Sequence, residues 1–223
     1  MPGRLIAIGD IHGCSRALEI LLNQIEPTAA DCIVTLGDYV DRGPDSRGVI
    51  ENLLTLSKRC QLIALRGNHE EMMQAVVGNQ QPPGFWLRHG GVDTLDSYGF
   101  VGDLEVIPDA HLKFLEELID FYETETHVFT HAAYQHDLPM DQQPAERLRW
   151  HSLRDDVPLP HVSGKRFVVG HTASLEAEIV DLDYLVCIDT YCYGEGWLTG
   201  LDVRAGTVWQ ANQAGQSRTR PRI

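Results

Sequence analysis

At 223 residues and a net charge of −14, the chain has room for one well-buried domain and offers no broad basic face to nucleic acid. A hydrophobic share of 43% and a charged share of 22% are those of a globular protein. No run reaches the ~18 apolar residues of a membrane helix, and five unevenly spaced cysteines (Cys14, Cys32, Cys60, Cys187, Cys192) suit neither a disulfide framework nor a zinc knuckle.

The opening Met1-Pro2-Gly3-Arg4 lacks signal-peptide architecture, so a cytoplasmic protein without a membrane partner is expected. Arg4 to Ile8 reads as a buried strand, and Ser15 to Ile25 as a helix with Leu18, Leu21, Leu22 and Ile25 at helical spacing. Cys32 to Leu36 and Gln61 to Leu65 are further strands, and Ser46 to Leu56 and Glu70 to Val77 further helices. That β-α-β-α-β-α order predicts a parallel sheet with crossover helices. Pro82-Pro83-Gly84 breaks the pattern, and Phe85 to Tyr98 reads as a helix interrupted at Gly90-Gly91. An amphipathic helix is expected over Asp109 to Phe121, and strands over His127 to His131 and Lys165 to Gly170. Between those strands, 134–164 reads as a surface excursion with a short helix near Glu146. Glu178 to Asp181, Tyr184 to Asp189 and Trp197 to Val203 predict a closing antiparallel meander, with Thr207 to Gln210 after it. One domain over 1–211 is expected, followed by a polar, frayed tail over 212–223.

Three apolar strands end in glycine-flanked polar groups: Gly9-Asp10-Ile11-His12-Gly13, Gly37-Asp38-Tyr39-Val40-Asp41-Arg42-Gly43 and Gly67-Asn68-His69-Glu70. α/β sheets place their ligands at the carboxyl ends of strands. Oxygen donors mixed with imidazoles suit divalent metals. Asp10 and His12 can reach one metal, Asp38 can bridge two, and Asn68 offers a neutral oxygen. His131 and His171 each stand at the end of an apolar strand; one alone would read as a polar cap, but two beside these loops point to ligands. Two metals sharing a water would generate a bridging hydroxide for attack on phosphorus. Arg42 and Arg66 are placed to hold the phosphate oxygens. His69 is the expected general acid, with Asp41 orienting its ring. Glu70 is expected to stabilise the start of its helix, and Cys14 to pack as a small hydrophobe.

These three segments, with His131-Ala132, Gly170-His171-Thr172 and Ile188-Asp189-Thr190, resemble the phosphoprotein phosphatase family of calcineurin-like metallophosphoesterases, over nearly the whole chain. Compact bacterial and phage serine/threonine phosphatases and symmetrical dinucleoside tetraphosphatases are its nearest groups. The resemblance implies an α/β, four-layer fold: a central β-sandwich of mixed sheets flanked by helices. It implies one metal on Asp10, His12 and Asp38, and a second on Asp38, Asn68, His131 and His171. Two manganese ions are implied, with iron or zinc as alternatives. Two departures bear on substrate choice. Trp150 is followed by His151-Ser152 rather than a nearby arginine, leaving Arg147, Arg149 or Arg154 to substitute, and Tyr191 stands where relatives often have glycine.

The expected activity is a two-metal phosphomonoesterase of the serine/threonine protein phosphatase type, acting on a phosphorylated protein or peptide or a small phosphoester. A dinucleoside tetraphosphatase shares the metal centre and would need a surface for its base, for which Trp86, Tyr134, Trp150 and Tyr191 are candidates. A non-catalytic phosphate-binding module would have no use for His69.

Overall fold

A computed structural model describes residues 3–220. Strands β1 (Leu5–Ile8), β2 (Cys32–Thr35) and β3 (Gln61–Ala64) run parallel, joined by helices α1 (Ser15–Ile25) and α2 (Ser46–Leu56) and followed by α3 (Asn68–Val77). A bent helical segment comes next: α4 (Gly84–Trp86), one wide turn over Leu87–Gly91, and α5 (Val92–Ser97). The bend falls at Gly90, whose φ of +111° opens the turn. A Cβ there would lie 2.6 Å from the Arg42 backbone nitrogen, so glycine lets this segment approach the second motif. Beyond it lie α6 (Asp109–Glu116), β4 (Phe121–Glu123), β5 (His127–Thr130), α7 (Ala145–Trp150), β6 (Arg166–Val169), β7 (Val180–Asp181) and β8 (Leu185–Cys187). The chain closes with β9 (Leu198–Asp202), β10 (Val208–Ala211) and β11 (Ser217–Arg220).

The strands form two mixed sheets, in the orders β11-β10-β9-β1-β2-β3 and β4-β5-β6-β8-β7. Alternation along each strand builds the layers. Ile6, Ile8 and Ile33 face α1–α3, joining Leu18, Leu21, Val49, Ile50, Leu53 and Met73 in one core. Leu5, Ala7 and Val34 face the other way and meet Phe129, Val168 and Val186 between the sheets. The outer face of the second sheet (Val128, Phe167, Val169, Leu185) packs beneath Tyr134, Met140 and Leu148. This is the sandwich with flanking helices that the motif resemblance implies.

Three expectations need correction. The expected closing meander is split between the sheets: β8 pairs parallel with β6, while β9 pairs antiparallel with β1 and β10. A strand buried on both faces carries no local mark of its partner's direction. The helix expected to Phe121 stops at Glu116; Ile119 bridges to Leu65, and Phe121 begins a strand paired with β5. The tail is not frayed over 217–220, where β11 pairs with β10. Its polar side chains hide the strand, but Arg218 lies 4.3 Å over the Trp197 ring and Arg220 pairs with Glu178 at 2.8 Å. Residues 221–223 lie outside the described residues. Among the described residues no helix is long and apolar enough to cross a membrane.

One ion pair ties the starts of β1 and β2 together. Asp31 is buried and accepts from Arg4 N and Nη2 and from Thr28 N at 2.7–2.8 Å. The Arg4 guanidinium holds its carboxyl well below the usual carboxylate range. A depressed folded pKa stabilises the fold above the unfolded value near ~4, and the effect is lost as pH falls through the folded pKa. Asp31→Asn is therefore expected to cost about 1–3 kcal/mol in urea unfolding at pH 7. The gap from wild type should shrink at pH 3; an equal loss at both pH values would contradict the assignment.

Candidate metal centre

Both sheets aim the carboxyl ends of their parallel strands at one rim. Asp10 and His12 follow β1, Asp38 follows β2, Asn68 and His69 follow β3, His131 follows β5 and His171 follows β6. Backbone strain collects here. His12, Asp38, Asp41, Arg42, His171 and Tyr191 all have φ between +46° and +72°, which non-glycine residues rarely adopt. Glu70 holds the strained second motif in place. Its buried carboxylate accepts N–H bonds from Asp38, Tyr39, Val40 and Gly67 at 2.7–3.3 Å, so it anchors a loop as well as its own helix. Gly67 is required by close approach, since a Cβ would collide with Asp38 Oδ1.

The imidazoles are oriented from outside. His12 Nδ1–H donates to the Val40 carbonyl at 3.0 Å and His131 Nδ1–H to Leu36 at 2.8 Å. His171 Nε2–H donates to Trp150 at 2.9 Å. In each ring the remaining nitrogen then presents a lone pair inward. His131 Nε2, His171 Nδ1 and Asn68 Oδ1 lie 3.1–3.2 Å apart, and Asp38 Oδ1 is 3.4 Å from His131 Nε2. The two ring nitrogens and the amide oxygen are all acceptors, with no proton among the three. Asp38 Oδ2 lies 3.3 Å from His12 Nε2. Asp38 thus stands in two trios of closely spaced donor atoms, with His12 and His69 and with His131 and His171.

Charge makes the same point. Burial pushes His12 and His131 well below the ordinary histidine value, and His171 to about 4, so the imidazoles are neutral. Burial and neighbouring carboxylates push Asp10 and Asp38 well up. Burial likewise carries Asp189 to about 6. Buried acidic groups facing neutral nitrogen acceptors are a donor set that suits a cation, and N/O donors of this kind fit a divalent metal.

A family model for calcineurin-like phosphoesterases matches residues 3–199. The chain belongs to that family. Over 85 residues it is 39% identical to serine/threonine-protein phosphatase 1 of Salmonella typhimurium, covering 38% of this chain and 37% of that protein. It is also 39% identical over 80 residues to a symmetrical bis(5'-nucleosyl)-tetraphosphatase of Acidovorax sp., covering 35% of this chain and 28% of that protein. The matched part is thus under two fifths of either relative's length. A cold-active protein-tyrosine phosphatase of a Shewanella species shares the fold, with a TM-score of 0.68 at 14% identity over 98% of this chain and 80% of that one. What the family match shows is a calcineurin-like phosphoesterase domain over most of the chain.

The other predicted site residues divide. Asp10 belongs to neither trio; its Oδ2 accepts the His171 N–H at 2.9 Å and its Oδ1 has no hydrogen-bond partner. His69 Nδ1–H donates to Asp41 Oδ2 at 2.7 Å, and its buried Nε2 has no hydrogen-bond partner and lies 3.9 Å from Asp38 Oδ2. Arg42 stands exposed at the rim, its Nη1 donating to His12 Nε2 at 3.0 Å. Arg66 points its guanidinium elsewhere, to the carbonyls of Glu116 and Leu118. Of the substitute arginines, Arg149 is held by Glu71 and Asp120, and Arg147 by Asp156. Arg154 bonds the Ala173 carbonyl and lies near enough to act on His171 and Asp189. Cys14 is fully buried, as expected of a packing residue.

Sequence reasoning missed Tyr193. Its ring packs 4.7 Å from His12 and lies 4.7 Å beneath the Arg42 guanidinium, whereas Tyr191 packs on Tyr193. Trp86 and Tyr134 are buried and offer no open face to a base. Trp86 instead donates to both Asp41 oxygens at 2.9–3.0 Å, and Thr94 Oγ1 donates to Asp41 Oδ1 at 2.7 Å. No short-range pattern links these two residues to Asp41.

Proposed function

We propose that this phosphoesterase is a two-metal phosphomonoesterase of the serine/threonine protein phosphatase type. Asp10, His12 and Asp38 would hold one ion, and Asp38, Asn68, His131 and His171 the other, with manganese as the working metal and iron or zinc as alternatives. Divalent ions there supply Lewis acidity and an activated water for attack on phosphorus. The chain's own residues do the rest. Arg42, kept at the rim by Tyr193, takes the non-bridging oxygens. Arg66 joins it only by exchanging the Glu116 and Leu118 carbonyls for substrate. To act as the acid, His69 must first take up a second proton at Nε2; that imidazolium, held at Nδ1 by Asp41, then gives the Nε2 proton to the departing oxygen and returns to the neutral ring.

The observation that carries this reading is the free, buried Nε2 of a histidine whose Nδ1 is fixed by a carboxylate. A serine or threonine alkoxide leaves only with a proton. A nucleotide leaving from an anhydride is a far weaker base and needs an acid less. The dinucleoside reading has its own support in a 220 Å³ apolar pocket beside α3, lined in part by Met72, Val76, Pro82, Phe85 and Trp150. Metal-stripped protein resupplied with manganese decides between them when given a phosphoserine peptide and diadenosine tetraphosphate side by side. Faster turnover of the peptide is expected. Faster turnover of the dinucleotide would move the function to nucleotides, and no manganese-dependent activity on either would leave a binding module.

A further inference from the structure

The bent segment α4–α5 reaches the catalytic loop at one side chain. Asp41 is fully buried, yet among the described residues its only charged hydrogen-bonding partner is His69, and only when that ring is protonated. Its other bonds come from the bent segment: Trp86 Nε1–H to both oxygens, and Thr94 Oγ1–H to Oδ1. Thr94 Oγ1 also accepts the Asp41 backbone N–H at 2.8 Å and meets Ser46 Oγ at 3.0 Å. Thr94 therefore grips Asp41 at both its main chain and its carboxylate. Trp86, Thr94 and Ser46 are all inaccessible to water, so no solvent molecule replaces a lost donor without rearrangement. The Gly90 bend is what turns Trp86 and Thr94, eight residues apart, onto the same carboxylate.

We infer that Trp86 and Thr94 are positioning residues for leaving-group protonation, fixing the Asp41 carboxylate so that its Oδ2 alone orients His69. The inference rests on the proposed role of His69. Without the two donors the carboxylate is free to rotate about its Cβ–Cγ bond and accept elsewhere, and the His69 ring loses its set direction. Proton delivery suffers, while the metal-holding atoms, which neither residue touches, do not.

The test compares Trp86→Phe, which keeps an aromatic ring, and Thr94→Val, which keeps the shape, on two substrates. Phenyl phosphate has a poor leaving group; 2,4-dinitrophenyl phosphate has one that departs without a proton. Each variant is expected to lose about tenfold or more in kcat on phenyl phosphate and less than about threefold on the dinitrophenyl ester, against the ~10²–10⁴-fold a general acid contributes in full. Manganese content should match wild type. Equal losses on both esters, or no loss on either, would overturn the inference. A second readout separates its failure from that of the functional reading: the low-field NMR resonance of the His69 Nδ1 proton. If wild type hydrolyses neither ester, the functional reading fails, and an unshifted resonance in both variants overturns the positioning as well. A shift in each variant supports it.

Discussion

On the proposed two-metal reading, Asp38→Asn is expected to remove manganese from both positions at once and to lower activity by at least about 100-fold, the upper range for disturbing even an indirect metal partner. The expectation follows from placement. Asp38 Oδ2 lies against His12 and Oδ1 against His131, so one carboxylate serves both groups of donors. Asparagine keeps one oxygen but replaces the other with an amide that donates. The metal-free variant should be no less stable than the metal-free wild type, because burial already penalises the Asp38 charge. Metal analysis after gel filtration, with thermal unfolding at increasing manganese, reads both effects. Wild type should gain Tm with metal and the variant should not. Two retained manganese ions per chain in the variant would remove Asp38 as the shared ligand.

His69→Asn separates chemistry from metal binding. The side chain donates a hydrogen bond from Nδ1–H to Asp41 and leaves Nε2 unbonded, so no structural contact depends on that second nitrogen. A fall in kcat of about 10²–10⁴-fold is expected on a phosphoserine peptide, with KM changed far less. Manganese content should remain near wild type. Although His69 stands in a trio with His12 and Asp38, its Nε2 is 3.9 Å from the Asp38 oxygen, against 3.3 Å for His12. Loss of a metal from His69→Asn would instead make it a ligand, and undiminished turnover of the peptide would end its assignment as the acid.

The candidate ligands are legible because each lies within four residues of a strand end, all but His131 beside a glycine. Strand period, helix period and the end of an apolar run are local properties, and local properties survive in a linear sequence. His131 and His171 were found the same way, at the ends of Val128-Phe129-Thr130 and Phe167-Val168-Val169-Gly170. Orientation was not legible. Arg66 sits one residue before a glycine-bounded motif and reads as a phosphate clamp, yet its guanidinium reaches carbonyls that arrive from fifty residues away. Tyr193 came without a signal, since nothing in its loop shows that the chain returns to His12 and Arg42. Trp86 read as a possible base platform because an aromatic in a helix has no visible polar partner until the bend at Gly90 brings its N–H to Asp41.

The amino-acid order alone thus determined the parallel β-α core, the family and the candidate donor atoms for metal, because burial period and strand-end chemistry are written in neighbouring residues. Tertiary structure alone decided that β8 joins the second sheet, that 217–220 becomes an edge strand, and which side chains steady Asp41 and Arg42. Those choices depend on which distant surface is present to pair with or pack against, and a backbone hydrogen bond or a buried donor carries no record of its partner until the layers close.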